Sequence, residues 1–365
     1  MIYADSSTLN EEKSIVQKIN SAVQTFRGSH YDYGIEQGKR LRQTHYMDNR
    51  NYEWVKRRPK FSLDFEETKA LYMHFAPHVW DEIMGLQDSL QITDGDVLLN
   101  LAHYRVSPRD SGCSVYMDDD VFIRNYDYHP NTYDGMYKLF QPDQGYAHIG
   151  PASRVTGRMD GMNEHGLVMA YNFMNRKQPS DGFTCFIIGR FILELCRTAD
   201  EARQLLQDLP HRGGFSYIIQ DRNNHSFLAE TSARGLAFRD AHICTNHYES
   251  LADENRRYLV DSKERLDILE NLNGPSRSEL LELFTDRRHG LFVDNYKSWA
   301  GTIHTSMYDR HDLTAMIKLG ENGPLHEFDF SSWIGGQPVD HDAVHGYLDT
   351  ELKFTSADWQ RKTKI

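Results

Sequence analysis

The chain of 365 residues is expected to be an α/β (α+β) protein of four layers, αββα, with two β-sheets sandwiched between helices. Three observations point there. Residues 1–110 carry mostly helical periodicity, strand texture takes over at Cys113, and helices, strands and helices then alternate through the rest of the sequence. A chain of this length, 39% hydrophobic and 26% charged, can bury a sizeable core as one large domain or two medium ones without metals or disulfides.

Taken in order, Val23-Gln24-Thr25-Phe26-Arg27-Gly28 reads as a short strand after a polar lead-in. Residues 31–41 then place apolar side chains at helical spacing. Gly34 and Gly38 each weaken such a helix by about 1 kcal/mol relative to alanine, so they mark a close backbone approach. Residues 61–90 are helical with a break at Pro77, and Thr93-Asp94-Gly95-Asp96 caps a last helix through Leu101, which leads to Pro108. From Cys113, residues 113–117 and 121–128 flank Asp118-Asp119-Asp120, a polar turn that makes them a hairpin. Strands are expected at 154–159 and 166–172 around a tight turn over 161–165, and helices over 183–196 and 200–209. Short strands at 215–220, 226–230, 235–238 and 241–246 precede helices at 253–272 and 278–287. A hairpin over 302–308 and 314–319 completes the reading.

Composition removes several classes of function. A formal charge of −12 argues against a nucleic-acid partner, because phosphate binding requires a basic surface; Lys56-Arg57-Arg58 reads as a solvated face. No apolar run approaches the roughly 18 residues that span a bilayer, so no membrane partner is expected. Met1-Ile2-Tyr3-Ala4-Asp5-Ser6-Ser7-Thr8 turns polar at once and is no secretory signal, which makes a cytoplasmic location the expectation. Cys113, Cys185, Cys196 and Cys244 lack Cys-x-x-Cys spacing and suggest neither a zinc ribbon nor a disulfide framework.

One stretch carries chemistry: Ser111-Gly112-Cys113-Ser114-Val115-Tyr116, followed by Arg124-Asn125-Tyr126-Asp127. An amide hydrolase needs a nucleophile, a proton acceptor and donors aimed at the oxyanion. A cysteine at a mature N-terminus supplies the first two, since its own α-amine titrates near neutrality and can take the thiol proton. That amine is freed only if the chain cuts itself between Gly112 and Cys113. Gly112 suits the cut because, lacking Cβ, it leaves its carbonyl open to Sγ and tolerates strain.

These residues resemble the cysteine N-terminal-nucleophile hydrolases, namely the choloylglycine hydrolases and the acyl-coenzyme A:6-aminopenicillanic acid acyltransferases of the peptidase C45 type. Arg27-Gly28-Ser29 through Gly34 and Gly38 is similar to the acyltransferase pro-segment, and Gly112-Cys113 to its cleavage junction. Asp160-Gly161-Met162-Asn163-Glu164-His165-Gly166-Leu167 matches the shared Gly-x-Asn-Glu-x-Gly-Leu turn; Thr245-Asn246-His247 and Ser262-Lys263-Glu264-Arg265-Leu266 match later elements in the same order. The resemblance implies an N-terminal-nucleophile sandwich with a helical pro-segment over 1–112, released by self-cleavage yet still associated, and a catalytic segment over 113–365. It further implies that Cys113 is nucleophile and base, that Arg124 lies beside the thiolate, and that Asp127 holds the amine. Asn172 would contribute to the oxyanion hole, Asn246 would be the second asparagine, and Arg265 the distal arginine, with Arg256 and Arg257 as rivals. No cofactor is implied.

The two branches leave mixed marks. Acyltransferases commonly carry Gln-Asn-Trp-Asp where this chain has Arg124-Asn125-Tyr126-Asp127, which favours the hydrolase branch; the 112 residues before Cys113 favour the other. The expected substrate is a small-molecule linear, non-peptide or side-chain amide, attacked to give a thioester. Acyl transfer to an amine, with acyl-coenzyme A as donor, is the second reading. A third, of another class, is an uncleaved binding protein of the same fold, and a homo-oligomer stays open. Taken alone, Cys113 would be a small buried hydrophobe, and Arg124 with Asp127 a structural ion pair. Among 18 histidines the best metal constellation is His341 and His345, four apart; without a third ligand, and after Gly335-Gly336-Gln337-Pro338, it reads as a loop. The 20 tyrosines and 18 phenylalanines serve an acyl pocket or packing equally well.

Overall fold

The described chain opens with a strand. In the computed structural model β1 (Val16–Gly28) is followed by α1 (His30–Leu41), α2 (Tyr46–Arg57), α3 (Phe65–Phe75), α4 (Pro77–Leu90) and the single turn α5 (Asp94–Val97). Then come β2 (Gly112–Met117), β3 (Phe122–Tyr128), β4 (Met136–Pro142), β5 (His148–Ser153), β6 (Gly157–Arg158), β7 (Asp160–Asn163) and β8 (Val168–Phe173). Helices α6 (Cys185–Leu195) and α7 (Ala199–Asp208) lead to β9 (Phe215–Gln220), β10 (Ser226–Thr231), β11 (Leu236–Arg239) and β12 (Ile243–Cys244). The order ends with α8 (Val260–Glu270), α9 (Arg277–Thr285), β13 (Gly301–Asp309), β14 (Thr314–Leu319), β15 (Leu325–Asp329), α10 (Phe330–Ile334) and β16 (Ala343–Asp349). The structure describes residues 16–57, 63–105, 112–174, 179–255, 260–297 and 300–353. Residues 1–8, Arg58, Phe61, Pro108, Ser111, Arg256 and Arg257 lie outside them.

Ten strands form one sheet, in the order β11-β10-β9-β8-β7-β5-β4-β1-β16 with β6 on β5, and six form the other, β12-β2-β3-β13-β14-β15. Three apolar layers separate four structural ones. Ile83 and Leu86 of α4 and Phe186 and Phe191 of α6 pack on Met169, Phe215 and Ile219 of the large sheet. The opposite face of that sheet, with Ile149, Val168 and Ile218, meets Val115, Phe122 and Ile317 of the small sheet. Leu269, Leu280 and Phe284 of α8 and α9 then cover Ile123 and Met307 on the small sheet's far side. This is the αββα order, with each strand's two faces serving different layers. No described helix is long and apolar enough to cross a membrane.

Several expectations need correction. The short strand expected over 23–28 is longer: β1 runs 13 residues and sits inside the large sheet, parallel to β4 and antiparallel to β16. The strand expected over 154–159 is mostly a turn, with Arg154 and Val155 at φ 54° and 69°, leaving the two-residue β6. Residues 161–163, read as part of the turn over 161–165, belong instead to β7. The stretch holding His341 and His345, read as loop, is partly strand: His345 lies on β16 opposite Asn20. Both imidazoles pack on His326, with ring centroids 5.3 Å and 4.9 Å away. Gly34 and Gly38 behave as the sequence suggests. A Cβ on Gly34 would lie 2.1 Å from the Glu82 carbonyl oxygen of α4, and one on Gly38 2.5 Å from Ser89 Cβ.

Candidate active site

The β2–β3 hairpin builds the site. Its turn is held by Asp118, whose Oδ1 accepts from the backbone N–H of Asp120 at 2.8 Å and of Val121 at 2.9 Å. The register then sets Gly112 opposite Asp127, Cys113 opposite Tyr126 and Val115 opposite Arg124. Because strand side chains alternate, Cys113, Arg124 and Tyr126 face the large sheet, whereas Ser114, Asn125 and Asp127 face the α8–α9 layer. Arg124 and Asp127, three apart, therefore approach Cys113 from opposite sides of the sheet.

On the inner side Arg124 Nη2 lies 3.4 Å from Cys113 Sγ. The guanidinium is fully buried, packed against the Tyr126 and Tyr171 rings, and donates to Met159 O at 2.8 Å and to Asp160 Oδ2 at 2.7 Å. Burial opposes the Arg124 charge, but Cys113 and Asp160 beside it raise the pKa above the ordinary arginine value. Asp160 also receives hydrogen bonds from His304 Nε2 at 3.2 Å and from the Tyr308 hydroxyl. Burial alone would raise its pKa; the His304 hydrogen bond and the Arg124 charge outweigh that and hold the carboxyl well below the usual range. The thiol goes the other way. Burial pushes Cys113 up, and the nearby guanidinium only partly offsets it, which favours the thiol form.

On the outer side Asp127 Oδ1 accepts from Thr302 Oγ1 at 2.7 Å, while Oδ2 is buried with no hydrogen-bond partner. Burial pushes this carboxyl up to about 6 against the pull of Arg265 and Thr302. A bulge in β13 between Thr302 and His304 makes both contacts fit: Thr302 stands opposite Asp127 and His304 opposite Tyr126, with the rings of the latter pair stacked 5.0 Å apart.

Asn246 and Arg265 close the frame around the backbone of Cys113. The Cys113 N–H donates to Asn246 Oδ1 at 2.8 Å, and Asn246 Nδ2 donates to Phe173 O at 2.9 Å. Arg265, on α8, donates through Nη1 to Cys113 O and Ser114 Oγ, both at 2.7 Å, and through Nη2 to Asn246 Oδ1 at 2.9 Å. Ser262, one helical turn earlier, accepts the Asn246 N–H at 2.7 Å. Asn172 is near, yet its Nδ2 is committed to Cys244 O at 2.9 Å and Thr245 O at 3.0 Å, with Cys113 O at 3.4 Å. Three carbonyls around that atom fix the amide's orientation, and Oδ1 is left buried without a partner.

All six residues singled out in the sequence, Cys113, Arg124, Asp127, Asn172, Asn246 and Arg265, thus converge on one backbone segment, and Gly112 stands in strand β2 beside them. Sequence reasoning gave no role to Asp160 or His304. A signal for the first existed: a buried arginine needs a counter-charge, and Asp160 sits in the quoted turn motif. None pointed to His304. Elsewhere, His30, His78 and Glu194 bring possible ligand atoms within 4.8 Å of one another, but Glu194 already accepts from Arg190 at 2.6 Å and His30 at 3.2 Å, which makes the group an ion-pair cluster. A cavity of about 300 Å³ lined by Leu139, Phe328, Asp340 and His341 opens beside β15, away from Cys113.

Residues 116–324, more than half of the chain, match the family described as acyl-coenzyme A:6-aminopenicillanic acid acyl-transferase. Comparison with curated proteins gives no match. Among solved structures, penicillin V acylase from Agrobacterium tumefaciens is 13% identical, covering 60% of this chain and 86% of that one, with a TM-score of 0.43. A mutant of conjugated bile acid hydrolase from Clostridium perfringens is 12% identical over 67% of this chain and 98% of its own, with a TM-score of 0.44. The Caenorhabditis elegans ortholog of N-acylethanolamine-hydrolyzing acid amidase is 12% identical over 55% and 93%, with a TM-score of 0.37.

Proposed function

Since the chain belongs to the acyl-coenzyme A:6-aminopenicillanic acid acyl-transferase family, enzymes of the N-terminal-nucleophile class, we propose that it cuts itself at Gly112–Cys113 and then acts on small-molecule linear amides through Cys113. In the first step Sγ attacks the Gly112 carbonyl carbon, the Cys113 nitrogen leaves with a proton as a free amine, and water hydrolyses the thioester to a Gly112 carboxylate and a thiol. In turnover the amine takes the thiol proton, Sγ attacks the substrate amide, and the amine product leaves with that proton. Water then clears the acyl group from sulfur.

The observation that carries this reading is the hold on the Cys113 nitrogen. That N–H is bound by the Asn246 side chain at 2.8 Å, so the nitrogen keeps its place when the bond to Gly112 is gone. Asp127 Oδ2, unpartnered across the strand pair, is an acceptor for the additional protons of the free amine. Arg124 at 3.4 Å from Sγ favours the thiolate as it forms. Asn172 would serve the oxyanion by giving up its longest contact, 3.4 Å to Cys113 O. Arg265 fixes the Cys113 carbonyl and completes the frame.

The test is the intact mass of purified wild type beside Cys113→Ala. Two fragments, 1–112 and 113–365, in the wild type and one chain in the variant are expected, followed by an acyl adduct on Cys113 with an amide panel. A variant that is still cut, or a wild type that hydrolyses amides uncut, overturns the mechanism. The family's own description favours a second reading, in which an amine replaces water as acyl acceptor. Adding candidate amines to the acylated enzyme and weighing the products separates the two.

A further inference from the structure

We propose that Asp160 and His304 meter the charge that Arg124 offers to the Cys113 sulfur, with His304 acting as a positioning residue through Asp160 and never touching the substrate. The proposal rests on the nucleophilic reading of Cys113, and it concerns what sets that thiol's ionisation. The geometry is a chain of four buried groups: Sγ to Arg124 Nη2 at 3.4 Å, Arg124 Nη1 to Asp160 Oδ2 at 2.7 Å, and that same oxygen to His304 Nε2 at 3.2 Å. Every member is fully buried, so no solvent screens the exchange of charge along it.

One guanidinium therefore serves two partners in competition, the Asp160 carboxylate and the Cys113 sulfur as it ionises. The more negative charge Asp160 presents, the less of Arg124 is left for sulfur. The His304 N–H and the Tyr308 hydroxyl draw charge away from Asp160 and so release Arg124 toward Cys113. The other titratable groups around His304 are the stacked Tyr126 on β3 and Tyr133, whose ring centroid is 6.4 Å away. Burial holds the His304 pKa below the ordinary value against the pull of Asp160, which leaves the ring a neutral donor near pH 7. Its Nδ1 has no hydrogen-bond partner, so Asp160 is its only polar contact among the described residues.

Two changes on this chain should move the thiol in opposite directions, which damage to packing would not do. His304→Phe keeps a ring against Tyr126 but removes the donor, and Asp160→Asn removes the competing charge. Titrating Cys113 by its ¹³Cβ resonance, assigned with Cys113→Ala in cysteine-labelled protein, reads this without any substrate. His304→Phe is expected to raise the thiol midpoint by about one pH unit, a tenfold loss of thiolate at fixed pH. His304→Gln, which can still donate to Asp160, should stay near wild type, and Asp160→Asn should lower the midpoint by at least as much. Identical midpoints in wild type and His304→Phe overturn the proposal, as does a Gln variant shifted as far as Phe, or a Cys113 that fails to titrate in all of them. If Asp160→Asn does not fold, the two His304 variants still decide. Failure of the nucleophilic reading shows separately, as a p-nitrophenyl phenylacetate probe that leaves no acyl group on Cys113 while the titrations still shift.

Discussion

Asp127 holds a charge state that the uncut chain has to carry at a cost. With the carboxyl pushed up to about 6 by burial, the folded form binds a proton more tightly than the unfolded form, whose carboxyl titrates near 4. The contribution to stability is thus fully present below about pH 4 and is lost as pH rises through about 6, roughly 3 kcal/mol in all. In a Cys113→Ala background, Asp127→Asn should remove that slope and stabilise the uncut chain at pH 7 by up to about this amount. Urea unfolding of both chains at pH 4, 5, 6 and 7 measures it, and parallel slopes would refute the assignment. The proposed cleavage would bring an amine to the same carboxylate, so this buried charge would gain a partner. Residue identities were legible because Arg124 and Asp127 lie in one short run; their division between the two faces of β3 was a matter of parity that the run itself contains. Asp160 and His304 stayed hidden because contacts 36 and 144 residues apart in sequence are made only by the sheet pairing.

Among the elements, the α1–α4 crossing depends most directly on particular residues. Gly34 and Gly85 face each other there: a Cβ on Gly85 would lie 2.2 Å from Tyr31 O, and one on Gly34 2.1 Å from Glu82 O. Backbone cannot give way as a side chain can, so Gly34→Ala should force the helices apart and cost about 1–3 kcal/mol, more than the roughly 1 kcal/mol gained in helix propensity. Thermal unfolding of Gly34→Ala against Lys39→Ala, an exposed position on the same helix, checks this. The strands that the sequence concealed have a common reason. β4 is buried through most of its length, and Lys138 interrupts its apolar run; its Nζ is buried and donates to Val155 O at 2.6 Å and to Gln37. β5 contains Gly150 and Pro151, residues that weaken a strand signal, yet it is fully buried between β4 and β7. Strands with polar or small residues are recognisable only once their neighbours are known.

At the scale of the whole molecule, the proposed cut divides the sequence without dividing the packing. Arg190 of α6 donates to Glu82 of α4 at 2.7 Å and to Glu194, which also meets His30 of α1, all buried. Glu82 of the first segment is thereby ion-paired to Arg190 of the second and His30 is hydrogen-bonded to Glu194, and removing the first segment would leave buried charge unpaired. The fragments should therefore co-elute on size exclusion at the mass of the intact chain and part only in denaturant. Fragments that separate in native buffer would count against the joint interface.

Strand β1 gives this arrangement a direction in time. It lies between β4 and β16, so the second segment by itself would have to form a ten-strand sheet with its eighth member in path order missing. Synthesis that began at Cys113 would supply the reactive terminus ready-made and lack the template on which the sheet closes. On the proposed reading, maturation by breakage, rather than by starting the message later, would let the nucleophile be exposed last, after the scaffold that aims it has been completed.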